Sequence, residues 1–239
     1  MKTHAKTDRG LERKENQDCF YTSELSVGNL PNLFIVADGM GGHAGGKLAS
    51  DTAMNSFIEA VSKSDSEDVA DIFNSAVALS NAKVIETSKD ADMEGMGTTI
   101  VAATVIDNVL YAANVGDSRL YIVSPREIRQ VTKDHSLVEE MVRLGELDPS
   151  KARTHEKKNV ITRAIGVSDE VRPDIFKVEL KEDDTILLCT DGLTNMVTDD
   201  MIRNIIITER DVIEKAEKLI EEANNNGGKD NITVVLIEP

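Results

Sequence analysis

The chain has 239 residues, 40% hydrophobic and 29% charged, which suits one domain, or at most two, around a sizeable core. Tryptophan is absent and aromatic residues make up 3%, so that core is aliphatic. A formal net charge of −16 argues against nucleic acid, whose phosphates demand clustered Lys and Arg, and against an anionic membrane surface. The acidity reads first as a solvated, soluble surface, and more sharply as carboxylates grouped to hold a cation. Two cysteines, Cys19 and Cys189, are too few for a disulfide framework. The opening MKTHAKTDRG lacks the apolar stretch of a signal peptide, and no run approaches the roughly 18 apolar residues of a membrane span. A reducing cytoplasm is the expected location.

The expected strands are short, rich in β-branched residues and bounded by turn residues. In chain order they are LFIVA (33–37), TTIVAATVI (98–106), VLYAANV (109–115), RLYIV (119–123), TILLCT (185–190) and ITVVLIE (232–238). The gaps at Asn108 and at Gly116-Asp117-Ser118 are short, and such gaps join antiparallel neighbours rather than parallel strands. Helical periodicity covers residues 44–62 (Ala49, Ala53, Phe57, Ala60, Val61) and residues 66–88 (Val69, Ile72, Phe73, Ala76, Val77), the latter with Ser64 and Glu67 spaced as a capping box. It is clearest over 211–224, through Val212, Ile213, Ala216, Leu219, Ile220 and Ala223, until Asn224 to Gly228 stops the helix. Residues 139–172 are polar and weakly periodic and read as an inserted flap. Without repeats or linkers, the whole reads as one α+β domain of antiparallel sheet packed on helices.

The stretch LFIVADGMGGHAGG (33–46) poses the functional question. Gly39 to Ala44 is GxGxxA, the phosphate-cradling turn of a dinucleotide fold. That fold needs a βαβ unit with an acidic residue about 20 residues on, at the end of a second parallel strand. Here the count reaches Glu59, inside an amphipathic helix that another helix follows, so the context fails. A cation explains the stretch better. Asp38 (VADG), Asp117 (VGDS), Asp191 (CTDG) and Asp230 (GKDN) stand at strand ends beside glycine, serine or asparagine, and Asp18 (NQD) precedes a short apolar run. Each alone is an ordinary turn former. Together they place several carboxylates on one sheet edge, where like charges need compensation and oxygen ligands suit Mg²⁺ or Mn²⁺. Glycine after Asp38 lets backbone approach the ion, so the Gly39 carbonyl is a further candidate ligand.

With those residues in view, the chain resembles the metal-dependent protein phosphatases of the 2C class in their compact bacterial form. The resemblance runs nearly end to end and keeps the family's order: RKENQD (13–18), VADGMGGHAGG (36–46), GMGTT (95–99), NVGDSRLY (114–121), TKDHS (132–136), NVITRAIG (159–166), LLCTDGL (187–193) and GKDNITVV (228–235). It implies two stacked antiparallel sheets with helices on both outer faces, and a site for two Mn²⁺ or Mg²⁺ ions. By motif match, Asp38, Asp191 and Asp230 are ligands of the first ion, and Asp38 and the Gly39 carbonyl of the second. Asp117 with Asp191 matches a third, weaker ion site. Asp18 matches a carboxylate that holds metal-bound water, Arg13 the phosphate-binding arginine and His43 the proposed general acid. Many members read Asn-Glu-Asp where this chain has Asn16-Gln17-Asp18; Gln17 can hydrogen-bond a water but adds no charge.

Phosphoester hydrolysis by water shared between two metals about 3.5–4 Å apart requires no side-chain nucleophile. Cys19 and Cys189 are then structural, since neither has the anion-binding loop of a cysteine phosphatase, and Ser118 has no base nearby in sequence. The planar fork of Arg13 matches two phosphate oxygens. His43 has the chemistry to protonate a departing serine or threonine alkoxide. His4, His135 and His155 are read as structural, with His135 bracing a turn, and Asn231 as a hydrogen-bonding neighbour of Asp230. Lys133, Arg163 and Arg119 remain unassigned. The expected function is hydrolysis of phosphoserine and phosphothreonine in phosphorylated proteins by a monomer that reverses a cytoplasmic serine/threonine kinase, itself an expected partner. The alternatives are a partner-switching regulator phosphatase and a phosphoprotein-binding pseudophosphatase.

Overall fold

The computed structural model describes residues 1–42 and 44–239. Three strands come first: β1 (Lys2–Asp8), β2 (Asp18–Ser23) and β3 (Leu33–Met40). The helices α1 (Gly45–Ser62) and α2 (Val69–Asp90) follow. Then come β4 (Gly97–Thr98), β5 (Ile100–Ile106), β6 (Val109–Val115), β7 (Arg119–Val123) and β8 (Ile128–Gln130). Two short helices, α3 (Leu137–Arg143) and α4 (Pro149–Ala152), lead to β9 (Asp174–Glu179) and β10 (Thr185–Cys189). The chain closes with α5 (Asp191–Thr194), α6 (Asp199–Thr208), α7 (Val212–Asn225) and β11 (Ile232–Glu238).

The strands form two antiparallel sheets, ordered β1-β11-β10-β7-β8 and β2-β3-β5-β6-β9, with β4 paired to β3. Alternation along each strand decides the layers. On β3, Phe34 and Val36 face the space between the sheets, while Leu33, Ile35 and Ala37 face Ala49, Ala53 and Phe57 of α1. On β11, Val235 and Ile237 face inward, while Val234 and Leu236 meet Ala216, Leu219 and Ile220 of α7. Three apolar clusters stacked in this way give the expected helix–sheet–sheet–helix sandwich. Both faces of the central strands are covered, which is why β10 is apolar without alternation.

Several local expectations are corrected. The three-residue gap Gly116-Asp117-Ser118 does not join neighbouring strands of one sheet: β6 pairs with β5 and β9, whereas β7 pairs with β10 and β8. The chain crosses between sheets at a corner that Gly116 turns with φ +111°. His135 clamps this corner, accepting the Gly116 N–H on Nδ1 (3.1 Å) and donating its own N–H to the Gly116 carbonyl (3.0 Å), as expected of a turn brace. The run 98–106 is two strands, because the Asp38 N–H goes to Thr99 Oγ1 (2.9 Å) and interrupts the ladder. Helix α2 starts at Val69, and its cap is Asp68, whose carboxylate accepts from Ala70 N (2.8 Å) and Asp71 N (3.0 Å), not a Ser64–Glu67 box. Ile213 sits at the first turn of α7 and is exposed, so the apolar face runs through Val212 and Ala216 instead. The edge strands β1, β8 and β9 lack an apolar signal because each is hydrogen-bonded on one side only and half-covered.

The polar segment 139–172 holds most of α3 and all of α4. Its roots are stitched together: Leu137 N–H donates to Val160 O (2.8 Å) and Thr162 N–H to His135 O (2.8 Å).

The corrected cap is testable. Asp68→Ala should cost about 1 kcal/mol, lowering the thermal midpoint by roughly 2–4 °C for a chain of this size, and Ser64→Ala should cost less. Thermal unfolding followed by circular dichroism reads both, and a larger loss at Ser64 would restore the capping box.

Candidate catalytic cleft

The fold delivers the expected carboxylates to one end of the sandwich. Asp18 and Asp38 are cross-strand partners at the ends of β2 and β3. Asp117 lies at the corner into β7, Asp191 opens α5 just beyond β10, and Asp230 precedes β11; β7, β10 and β11 are adjacent strands of the other sheet. Arg13, Asp38, Gly39, Asp117, Asp191 and Asp230 line a common cleft of about 210 Å³. His43 lies outside the described residues.

Each carboxylate is held differently. Asp18 is buried beneath the cleft, and its Oδ2 accepts from Thr233 Oγ1 (2.7 Å) and Thr190 Oγ1 (2.9 Å). Among the described residues its Oδ1 is buried with no hydrogen-bond partner, as is Oδ1 of Asp191. Asp191 Oδ2 accepts from Asn195 Nδ2 (2.8 Å), and Asn195 Oδ1 in turn accepts from Lys158 Nζ (3.0 Å) of the polar 139–172 segment. Asp38 is fixed through its backbone: its N–H goes to Thr99 Oγ1, and its carbonyl accepts from Thr98 Oγ1 (2.8 Å) and Thr99 N (2.9 Å). Thr99 Oγ1 also meets Ser118 Oγ (2.7 Å), so a buried hydroxyl pair links the Asp38 and Asp117 loops. Gly39 must be glycine, because a Cβ there would stand 2.1 Å from the Gly46 carbonyl of α1.

The Arg13 loop is anchored from across the molecule. Arg13 Nη2 lies 2.6 Å from Asp230 Oδ2. Asn231 donates from Nδ2 to Arg9 O (2.8 Å) and Glu15 O (2.9 Å), and its Oδ1 accepts from Gln17 N (2.8 Å). Its side chain therefore holds the loop, while its backbone N–H caps Asp230 Oδ1 (2.8 Å). Arg119 is committed to Asp134 and the Tyr121 hydroxyl, and Arg163 pairs with Asp174. The sequence assigned no role to Thr98, Thr99, Thr190, Thr233, Asn195 and Lys158, although four of them lie in the matched motifs, since their roles depend on which strands lie side by side.

The profile of the family described as Protein phosphatase 2C matches residues 8–232. The chain belongs to the protein phosphatase 2C family. It is 40% identical to the serine/threonine phosphatase stp of Listeria monocytogenes over 243 aligned positions, covering 100% of this chain and 96% of that one. The serine/threonine phosphatase of S. agalactiae has the same fold, with a TM-score of 0.91 and 37% identity over 98% of each chain. The catalytic domain of the serine/threonine protein phosphatase PstP, solved in complex with 2 manganese ions, matches with a TM-score of 0.86 and 34% identity, covering 98% of this chain and 96% of that one. As a 2C phosphatase this chain is a metal-dependent protein phosphatase, a phosphoric monoester hydrolase.

The electrostatics suit that family. Burial raises the Asp18 carboxyl to about 7; the two threonine hydroxyls oppose the rise, and the charges of Asp191 and Asp230 add to it. Burial, then Asp230, raises Asp191 to about 6. Burial and the neighbouring aspartates push Asp38 and Asp117 well above the usual carboxylate range. A cation relieves both causes at once. Among the described residues no three His, Cys, Asp or Glu side chains converge closely enough to hold a metal ion by themselves. The carboxylates ring the cleft instead, an arrangement suited to ions that take few protein ligands and complete their shells with water. Cys19 is pushed up to about 12 and Cys189 is also raised, both chiefly by burial, so neither supplies a thiolate nucleophile.

These shifts fix the sign of a pH effect in metal-free protein. An acid whose folded value is raised contributes stability below its unfolded value, about 3.9 for Asp, and that stability is lost as pH rises through the folded value. For Asp18 the window runs from there to about 7. In EDTA, Asp18→Asn should therefore melt above the parent at pH 8, with the gap closing toward pH 4. A variant less stable than the parent at pH 8 would contradict the buried-charge account.

Proposed function

We propose that this 2C phosphatase removes phosphate from phosphoserine and phosphothreonine with a pair of divalent cations, Mn²⁺ or Mg²⁺, in the cleft between the sheets. Asp38, Asp191 and Asp230 would hold one ion, and Asp38 with the Gly39 carbonyl the other. Asp117 and Asp191 would hold a weaker third. The carrying observation is the gathering of five carboxylates from both sheets at one end, with the guanidinium of Arg13 at the mouth. Bound there, the cations supply an acidified water and neutralise charge in an in-line displacement.

The chain's own residues do the rest. Asp18 has one oxygen locked by threonine hydroxyls, which leaves the other to orient a water. Arg13, half-exposed beside Asp230, offers its fork to two phosphate oxygens. His43 is assigned the leaving-group proton on its motif alone. The substrates are phosphorylated proteins, a cognate serine/threonine kinase among them, and the working unit is a cytoplasmic monomer. No helix of the described chain is long and apolar enough to cross a membrane. A phosphoprotein-binding pseudophosphatase is disfavoured because every proposed aspartate ligand is present.

Two measurements test this reading. EDTA-treated protein should show background hydrolysis of a phosphothreonyl peptide and regain activity with Mn²⁺, while Asp191→Ala should fail to regain it yet unfold in a single transition. Full turnover by metal-free protein would overturn the proposal. Arg13→Ala should raise KM for the peptide about tenfold or more, the worth of a charge-assisted hydrogen bond to phosphate, with a smaller effect on kcat. An unchanged KM with lost Mn²⁺ affinity would make Arg13 a partner of Asp230 only.

A further inference from the structure

The flap segment returns to the body through residues 159–169, and Asn159 and Ile161 of this limb line the catalytic cleft. Helix α2 grips the limb at one point. Asn81 is a buried amide on that helix with all its hydrogen bonds spent on limb backbone: Oδ1 accepts from Gly166 N (2.7 Å), and Nδ2 donates to Ser168 O (2.8 Å) and Asp169 O (3.2 Å). Val84, one turn further along the same face, packs where a Gly166 side chain would go; a Cβ there would stand 2.3 Å from its Cγ1, and Gly166 has φ +89°. Immediately before Gly166, Ile165 exchanges both backbone hydrogen bonds with Thr98 (2.9 and 3.0 Å), and Thr98 Oγ1 donates to the Asp38 carbonyl. One buried side chain on an outer helix thus fixes the exit of the limb that walls the cleft.

We infer that Asn81 is a positioning residue for phosphoprotein binding: it sets the angle at which the returning limb of the flap lies over the cleft, and so governs recognition of the polypeptide around the phosphorylated residue. This rests on the phosphoprotein phosphatase reading. Among the described residues, the hydrogen-bond partners of Asn81 are not residues that line the cleft. It acts through Gly166 and Ile165 on Ile161 and Asn159. An amide suits this position because the limb offers one N–H and two carbonyls within reach, which a side-chain amide satisfies without an unpaired charge. A small aryl phosphate needs only the floor of the cleft, whereas a phosphopeptide must also pass the limb.

The test compares Asn81→Ala with Gly166→Ala, which disturbs the same grip from the other side, and with Ser80→Ala, which removes a buried hydroxyl of α2 that bonds Ala53 O and Ala76 O rather than the limb. With saturating Mn²⁺, well below each melting temperature, both limb variants should raise KM for a phosphothreonyl peptide roughly tenfold, the worth of about one net hydrogen bond. Their kcat/KM on p-nitrophenyl phosphate should stay within about twofold of the parent. Ser80→Ala should lower the melting temperature without that split. Equal losses on both substrates, or a peptide KM unchanged in Asn81→Ala, would reduce Asn81 to a packing residue. Absence of Mn²⁺-dependent turnover in the parent would instead defeat the phosphatase reading.

Discussion

Repulsion among carboxylates is the constraint on which this molecule is organised. Asp18, Asp38, Asp117 and Asp191 sit where burial and neighbouring carboxylates oppose ionisation, and the nearby cations Arg119 and Lys158 offset this only in part for Asp117 and Asp191. Arg13 pairs with Asp230 at the rim, but one exposed guanidinium does not balance five acids. Such a cluster is tolerable because the two sheets resist its spreading. The inter-sheet core of Phe34, Val36, Leu120, Leu188 and Val235 runs up to the site, so separating the charges would open apolar surface. The apolar sandwich thus holds a charged end that is poised to take cations.

The scaffold meets the charges mainly with neutral groups. Threonine hydroxyls hold Asp18, backbone amides and threonines hold the Asp38 strand, and Asn195 holds Asp191. Neutral donors fix an oxygen without consuming its charge, so each acid keeps its attraction for an ion. A lysine or arginine in those places would have satisfied the carboxylates and blunted the site.

What the sequence disclosed follows the same division. Asp38, Asp117, Asp191 and Asp230 were legible because each stands at the end of a strong β run, where turn chemistry repeated too often to be incidental. The central strands and long helices were legible by periodicity, to within a few residues. The crossing at Gly116 was not, since a three-residue gap looks the same whether the next strand pairs beside the last or in another sheet. Edge strands such as β1 were hidden because one-sided pairing leaves little apolar signal. The partners of Thr190, Thr233 and Asn195 were hidden for a different reason: a threonine bonded to a distant aspartate looks like any strand threonine until β10, β11 and β2 are seen together. Asn231 was half-read; its neighbourhood was right, but its side chain serves the Arg13 loop.

The place of β11 in the five-stranded sheet has a consequence for how the molecule comes to exist. It comes after β10 in chain order, yet it lies between β1 and β10, pairing with β1 along its whole length from Lys2↔Glu238 to Asp8↔Ile232. Until it arrives, β1 has no partner in its sheet, β10 presents a bare apolar edge, and Asp230 and Asn231 are missing from the cleft. A chain that lacks β11 therefore lacks part of the cleft as well. Without β11 the sheet has an open seam with two unpaired strand edges, a template for wrong pairing; its insertion pairs both edges and brings Asp230 and Asn231 to the cleft together.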